Sequence, residues 1–444
     1  MLEKTSQAPP SFPVLKRARP FPSGAGRLLL TQSWFLWPLG VRLLAWLFLA
    51  HAYEIAVFQD VSMQMASGEG VYTRFSTWLA TAGDGYYAYP PLYAYMLWAS
   101  GWLADALGGH WWLRQLLIKS WLVLADLMVM AFLLRVRPAA ARAYWTLWFV
   151  PVVAIGQVQP DLWVGLSIVL ALHFALRQRW AVVGFLITMA GGLKIVPLII
   201  LPFLAIHLVQ LRNWRGIAEV GVGVVVGLAV TWLPYLAFFG DAGSFVDAAR
   251  FYLTRPIAGL TVLSGLALIV NSTLAGAALL AHPLPWAEAA YRSLEHLGVL
   301  YPVVTLVAFA ALMIAAARQR WPLWRAFCLP LLMFLLTNKT VHEHYLLQVL
   351  PLLIVLGIGS RTLVMAFSAY LLAAGTPLRF IPAEFGLPST VDGLLPLALQ
   401  PTLGAVLTMG LMLVAGAAAL VFSLQVFKLI RAVMTQNVQR DVPA

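Results

Sequence analysis

A handful of polar residues in this chain are of types, and stand at spacings, that can act on a phosphate and a hydroxyl. Asp60 is a carboxylate just beyond the first long apolar run, and an aspartate so placed can take a proton from a hydroxyl. Lys194 lies between Gly191-Gly192 and Pro197, and Arg250 and Arg255 follow in a later polar stretch; Lys and Arg are the natural partners of phosphate. The glycine pair is expected to let a ligand approach the backbone beside Lys194. Asn338-Lys339-Thr340-Val341-His342-Glu343-His344-Tyr345 sets a carboxylate between two histidines. That is not the i, i+4 spacing that puts two histidines on one helical face, and no cysteine cluster adds ligands, so no metal site is expected. Gln157 and Asp161 share one short turn, and Tyr89-Pro90-Pro91-Leu92 reads as an extended entry into a helix. Singly, each has a plainer role: Lys194 can snorkel, Asp60 can be a solvated loop residue, and His342-Glu343 can cap a helix. Together they can hold a phosphate and activate a hydroxyl.

The elements that must position these residues follow from composition. Of 444 residues, 61% are hydrophobic and only 10% charged, with mean hydropathy +0.84. A soluble domain carries about a quarter of its residues charged. Apolar runs able to cross a hydrocarbon core of about 30 Å recur along the chain, and they are continuous rather than alternating, which excludes a β-barrel. The chain therefore reads as an all-α, polytopic transmembrane protein of about twelve spans. They are placed at 34–54, 117–135, 143–158, 161–177, 180–193, 195–211, 216–238, 298–317, 326–338, 345–360, 362–378 and 402–427. The net charge of +12 would suggest nucleic acid in a soluble protein. Here it fits basic cytoplasmic loops, and no nucleic-acid partner is expected. The single cysteine, Cys328, sits inside an apolar run, so no intrachain disulfide can form. Residues 1–33 read as a basic, Pro-rich tail; no cleavable signal is expected there, and the first apolar run is expected to be a signal anchor.

Charge sets the sides. With the tail inside, the inner turns collect Arg135, Arg137, Arg142, Arg177, Arg179, Arg212, Arg215, Arg318, Arg320, Arg325 and Arg361, then Lys428, Arg431 and Arg440. Arg42 is counted with them. Two long outside loops result, 55–116 and 239–297, and the chain divides into the tail 1–33, a module over 34–238 and a second over 239–444. The run 86–107 is apolar enough to span, but a crossing there would carry Arg135, Arg137 and Arg142 outside. Its tyrosines and tryptophans suit an interfacial helix instead. The run 257–281 is expected to be outside-facing or re-entrant. No internal repeat is visible, which weighs against a secondary transporter.

The motifs, taken in order, resemble those of the GT-C superfamily of membrane glycosyltransferases that use polyprenyl-phosphate sugars. They are most similar to the dolichyl-phosphate-glucose glucosyltransferases of lipid-linked oligosaccharide synthesis and to bacterial mannosyltransferase relatives. Asp60 stands where that family has its catalytic Asp. Tyr89-Pro90-Pro91-Leu92-Tyr93-Ala94-Tyr95 matches the element before a juxtamembrane helix, and Leu124-Ala125-Asp126-Leu127 a signature in the second span. Gly156-Gln157 matches a common turn, here running Gln-Val-Gln-Pro-Asp so that its Asp falls at Asp161. Leu193-Lys194 with Pro197 and Leu201-Pro202, and Val341-His342-Glu343-His344-Tyr345, complete the set over about residues 50–360.

The resemblance implies a GT-C-type fold and transfer of a hexose, with inversion, from a polyprenyl-phosphate-linked donor to a glycan, lipid or protein acceptor. The reaction would lie on the outer, periplasmic face of a bacterial plasma membrane rather than in the endoplasmic reticulum. Asp60 would be the base. Lys194, Arg255 and His342, with Glu343 orienting His342, would hold donor phosphate or sugar. Tyr89, Gln157 and Asp161 would contact substrate, and no metal or other cofactor is implied. The competing readings are a transporter or flippase of lipid-linked sugars, and a non-catalytic assembly protein.

The charge argument predicts that Ala106→Cys, in a Cys328→Ser background, reacts with an impermeant thiol reagent added outside. Labelling only after permeabilisation would reverse the topology between residues 108 and 142.

Overall fold

The computed structural model describes residues 33–72, 87, 89–240, 245, 258–279, 285–338, 340–358, 361–375 and 405–435. The basic tail before Ser33 lies outside the described residues.

Helices dominate. α1 (Ser33–Phe48) and α2 (Ala52–Ala66) are followed by α3 (Pro91–Ala106), the long α4 (Trp111–Val136) and two short helices, α5 (Pro138–Trp145) and α6 (Phe149–Gly156). Then come α7 (Asp161–Ala175), α8 (Trp180–Leu193), a 3-10 turn at Val196–Ile199, α9 (Ile200–Gln210) and α10 (Trp214–Phe239). The second half holds strand β1 (Ala258–Gly259), α11 (Val262–Leu279), α12 (Pro285–Gly298), α13 (Tyr301–Gln319), α14 (Leu323–Thr337), strand β2 (Thr340–Val341), α15 (Tyr345–Leu356), α16 (Arg361–Ala373) and α17 (Ala405–Thr435). Local chemistry marks the ends. Proline occupies the first turn of α3, α5 and α13, where a missing N–H costs nothing. His51, His110 and Asn213 accept from backbone N–H groups at the starts of α2, α4 and α10.

Among the described residues four helices, α4, α10, α13 and α17, are long and apolar enough to cross a membrane alone. They answer the runs expected at 117–135, 216–238, 298–317 and 402–427. Counting α1–α2 and α5–α6 as bent single spans gives six, and α7, α8, α14, α15 and α16 are shorter apolar helices. With the composition, this makes the chain a multi-pass helical membrane protein.

Two expected spans prove to be broken. The run 34–54 ends its first helix at Phe48 and resumes at Ala52 with a bend of 64°, and the run 143–158 bends by 66° between α5 and α6. Unpaired backbone groups are too costly inside a bilayer to leave bare, so each break needs partners from elsewhere. At the first break Lys119 Nζ of α4 donates to Leu49 O (3.2 Å), and the His51 N–H donates to Gly156 O (2.6 Å). A hydropathy pattern sees neither partner. The consequence for chemistry is direct: Asp60 lies within helix α2, not at the mouth of a loop.

Within the run 86–107, Pro91–Ala106 forms α3. One face, with Tyr93, Ala94, Leu97 and Gly101, is buried, while Trp98, Trp102 and Leu103 are exposed. The stretch 257–281 supplies β1 and α11. β1 pairs in parallel with β2, Ala258 opposite Thr340 and Gly259 opposite Val341. A Cβ at Gly259 would collide with the Val341 carbonyl, so the pairing tolerates only glycine there.

Alternate helix turns separate two kinds of end. α7 begins at Asp161 and ends next to Arg177, and α8 begins beside Arg179 and ends at Lys194. A helix of α7's length spans about 22 Å. The basic turns and the turns carrying Asp161, Lys194 and Glu343 are thus at opposite ends of the same helices.

Arg42 does not belong with the solvated inner arginines. It is buried, and its guanidinium pairs with Asp126 Oδ2 (2.6 Å), donates to Trp145 O (3.0 Å) and stacks 3.7 Å over the Trp145 ring. The Tyr144 hydroxyl donates to Asp126 Oδ1 (2.6 Å). Removing one partner of a buried pair strands the other charge, so Asp126→Leu is expected to cost roughly 3–5 kcal/mol. The double variant Arg42→Leu/Asp126→Leu should recover most of that loss. Thermal unfolding in detergent checks it; a double variant no better than the single one contradicts the expectation.

Candidate functional site

Five of the polar residues picked out by sequence converge where α6 meets α7, at the end opposite the basic turns. α6 closes with Val158 N–H to Ile155 O and Gln159 N–H to Ala154 O, both 3.3 Å, the bond pair of a left-handed helix stop. Pro160 then prevents the helix from continuing and Asp161 opens α7. This turn, Gln157-Val158-Gln159-Pro160-Asp161, projects three polar side chains, and all three are buried.

Each finds a partner on a different element. Asp161 Oδ2 accepts from Lys194 Nζ at 2.8 Å, and Asp161 Oδ1 from Gln348 Nε2 at 2.6 Å. Lys194 is held at the end of α8 in extended backbone, with its ammonium 4.8 Å from the Tyr345 ring centre and 5.4 Å from that of Tyr89. Aromatic faces attract a desolvated cation, so the two rings supplement the aspartate. Gln157 Nε2 donates to Glu343 Oε2 (2.9 Å), which leaves Gln157 Oε1 to accept from His344 Nδ1 (2.6 Å). The carboxylate fixes which way the amide is turned, and the amide in turn puts the His344 proton on Nδ1. The Tyr89 hydroxyl donates to Gln159 Oε1 (2.6 Å), and Tyr93 hydroxyl donates to Val158 O (2.7 Å).

Small residues let these elements meet. A Cβ on Gly165 of α7 would come within 2.7 Å of Leu347 O of α15, the contact that sets Gln348 against Asp161. Gly191 and Gly192 do not open a path for a ligand as expected. A Cβ there would meet Leu198 at 2.5 Å and Thr231 at 2.7 Å, so the pair serves packing against the next turn and α10.

The structure thus brings together Tyr89, Gln157, Asp161, Lys194 and Glu343, drawn from both sides of residue 238. Lys194 is no exposed snorkelling lysine: it is 5% exposed and paired. Glu343, expected to orient His342, accepts from Gln157; His342 is half-buried and stacks on His344 with ring centres 5.5 Å apart. Asp60 is half-buried on α2. Two residues earlier on that helix, Phe58 packs its ring on Tyr89 (6.0 Å) and Tyr93 (5.2 Å). Arg255 lies outside the described residues. Sequence reasoning missed Gln348, Gln159 and the role of His344. A signal for Gln348 existed: it is the only hydrogen-bonding side chain within the apolar run Leu346–Leu356, and polar groups in such runs seek one another. Among the described residues no group of three or more His, Cys, Asp or Glu is placed to hold a metal ion.

No protein-family model matches the chain, and no curated protein sequence does. Among solved structures, the chain is similar to ArnT from Cupriavidus metallidurans in the apo state, with TM-score 0.46 and 15% identity over 93% of this chain and 77% of that one. For the same protein bound to undecaprenyl phosphate the values are 0.44, 16%, 89% and 78%. At such identity and TM-score the likeness assigns this chain no family, substrate or site residue.

Gln348→Leu leaves one oxygen of a fully buried aspartate without its donor. The expected cost is about 1–3 kcal/mol, read as a lowered unfolding temperature. Unchanged stability would mean that Asp161 Oδ1 finds another donor.

Proposed function

We propose that this chain is a membrane glycosyltransferase that moves a hexose from a polyprenyl-phosphate carrier to an acceptor hydroxyl, with inversion and without a metal ion. The observation that carries the reading is convergence. Tyr89, Gln157, Lys194 and Glu343 come from four of the separate motifs behind the GT-C resemblance, and they meet with Asp161 in one buried polar cluster. Tyr, Gln, Lys and carboxylate side chains gathered by chance on apolar helices would have no reason to meet at the family's motif positions. The cluster's position opposite the basic turns supports an outer-face reaction, periplasmic in a bacterial plasma membrane. The acceptor is a glycan, lipid or protein hydroxyl. Residues 34–238 and 239–444 act as one unit, since the second contributes Glu343 and Gln348.

In the proposed step the acceptor oxygen attacks the anomeric carbon as its proton passes to Asp60. The bond from that carbon to the phosphate oxygen breaks, and its electron pair leaves with the lipid phosphate. Asp161 is unsuited to be the base: both its oxygens are engaged, by Lys194 and Gln348, away from water. Asp60, half-buried on α2, suits the task better. Departing phosphate is already an anion, so cationic side chains suffice to stabilise it. Lys194, paired with Asp161 and set between the Tyr345 and Tyr89 rings, is the cation proposed to face that phosphate. Arg255 and His342 complete the proposed donor contacts.

Purified protein given radiolabelled polyprenyl-phosphate hexoses, one sugar at a time, should transfer at least one of them. Asp60→Asn keeps the side chain's shape but cannot accept the proton, and should lower turnover about 10²- to 10⁴-fold while donor binding persists. Wild-type-like turnover in that variant sinks the base assignment. Movement of the donor across vesicles with no transfer to any acceptor would favour a flippase.

A further inference from the structure

Gln159 differs from its neighbours on the α6–α7 turn. Gln157 and Asp161 have both polar ends engaged, whereas Gln159 is fully buried and its Nε2 has no hydrogen-bond partner among the described residues. Its other end is held by the Tyr89 hydroxyl. Turning the amide over does not help, because Nε2 would then donate to the phenol oxygen and Oε1 would be left bare. A buried amide end without a partner costs about 1–3 kcal/mol.

The backbone that presents it is also unfavourable. Val158 has φ 57°, in the left-handed region that glycine or asparagine normally fills at a helix stop. For a β-branched residue this costs roughly 1–2 kcal/mol. The Tyr93 hydroxyl, bonded to Val158 O, clamps that conformation. Two unfavourable features on successive residues are hard to explain as packing, since a glycine at 158 and an aliphatic residue at 159 would remove both. Such features persist where the surroundings hold a group ready for a ligand. Tyr89 gives the location: its hydroxyl holds the Gln159 amide while its ring lies 5.4 Å from the Lys194 ammonium.

We propose that the Gln159 amide hydrogen-bonds a hydroxyl of the transferred sugar, making Gln159 a residue that selects the donor's sugar while Lys194 faces its phosphate. This rests on the glycosyltransferase reading above. A hydroxyl both donates and accepts, so it satisfies whichever end of the amide is presented. A site with a buried group awaiting a hydroxyl discriminates strongly against a ligand that lacks it.

The test compares two ligands, a polyprenyl-phosphate hexose and polyprenyl phosphate without sugar, by direct binding to purified protein and its variants. Gln159→Met should weaken binding of the sugar-bearing donor about 10- to 100-fold and leave the sugar-free phosphate within about twofold. Among monodeoxy donors, wild type should reject one, and Gln159→Met should bind that one and the parent donor equally. Should Gln159→Met not fold, Tyr89→Phe removes only the hydroxyl that aims the amide. It should show the same sugar-selective loss in smaller measure. Equal weakening of both ligands, or no change in either, overturns the proposal and leaves Gln159 a structural residue. Wild-type protein that binds neither ligand overturns the parent reading instead.

Discussion

An ammonium and a carboxylate buried together among apolar helices set the terms for everything around them. Lys194 and Asp161 are 5% and 0% exposed, and neither could be left alone there without a loss of several kcal/mol. Their 2.8 Å contact therefore dictates that the last turn of α8 and the first turn of α7 sit side by side. The second aspartate oxygen extends the demand to α15, through Gln348, and Gly165 meets it by giving up its side chain where α15 crosses. The tyrosines at 89 and 345 wrap the cation and draw in α3 and the start of α15.

A second buried pair, Arg42 with Asp126, does the same work at another place. It ties α1 to α4 and, through Tyr144 and Trp145, to the end of α5. The two broken spans depend on such cross-links. A helix that stops within an apolar layer exposes carbonyls, and Lys119 and the His51–Gly156 bond cover the break before α2. The first break also fixes an aromatic contact. Without the bend at residues 49–51, α2 would continue along α1 and would not bring Phe58 onto Tyr89 and Tyr93.

The division of labour between carboxylates follows from these constraints. Asp161 is committed to charge balance and position, and Glu343 to fixing the Gln157 amide and hence the His344 tautomer. Asp60, on a different element and half-buried, is the carboxylate proposed as the base. A neutral replacement of Lys194 would be ambiguous, because it would strip the proposed phosphate contact and strand Asp161 at once. For that reason Asp60 and Gln159, whose replacements leave the Lys194–Asp161 pair whole, separate chemistry from architecture more cleanly.

The sequence by itself determined the class of molecule, the gathering of its basic residues at alternate turns, and most of the residue types in the buried polar cluster. Hydropathy and charge add along the chain, so 61% apolar residues and arginines at alternate turns carry that information without any knowledge of packing. Tyr89, Gln157, Asp161, Lys194 and Glu343 were legible because polar groups near apolar runs are costly and stand out. Tertiary structure alone decided the pairings. Lys194 meets an aspartate 33 residues away and Gln157 a glutamate 186 residues away, and no local pattern encodes either distance. It also decided that Arg42 is buried rather than solvated, that Asp60 rides on a helix, and that the Gly191-Gly192 pair serves packing. Each of these turns on which group lies across from a residue in space, and that is set by how the helices stack, not by the order in which they are strung.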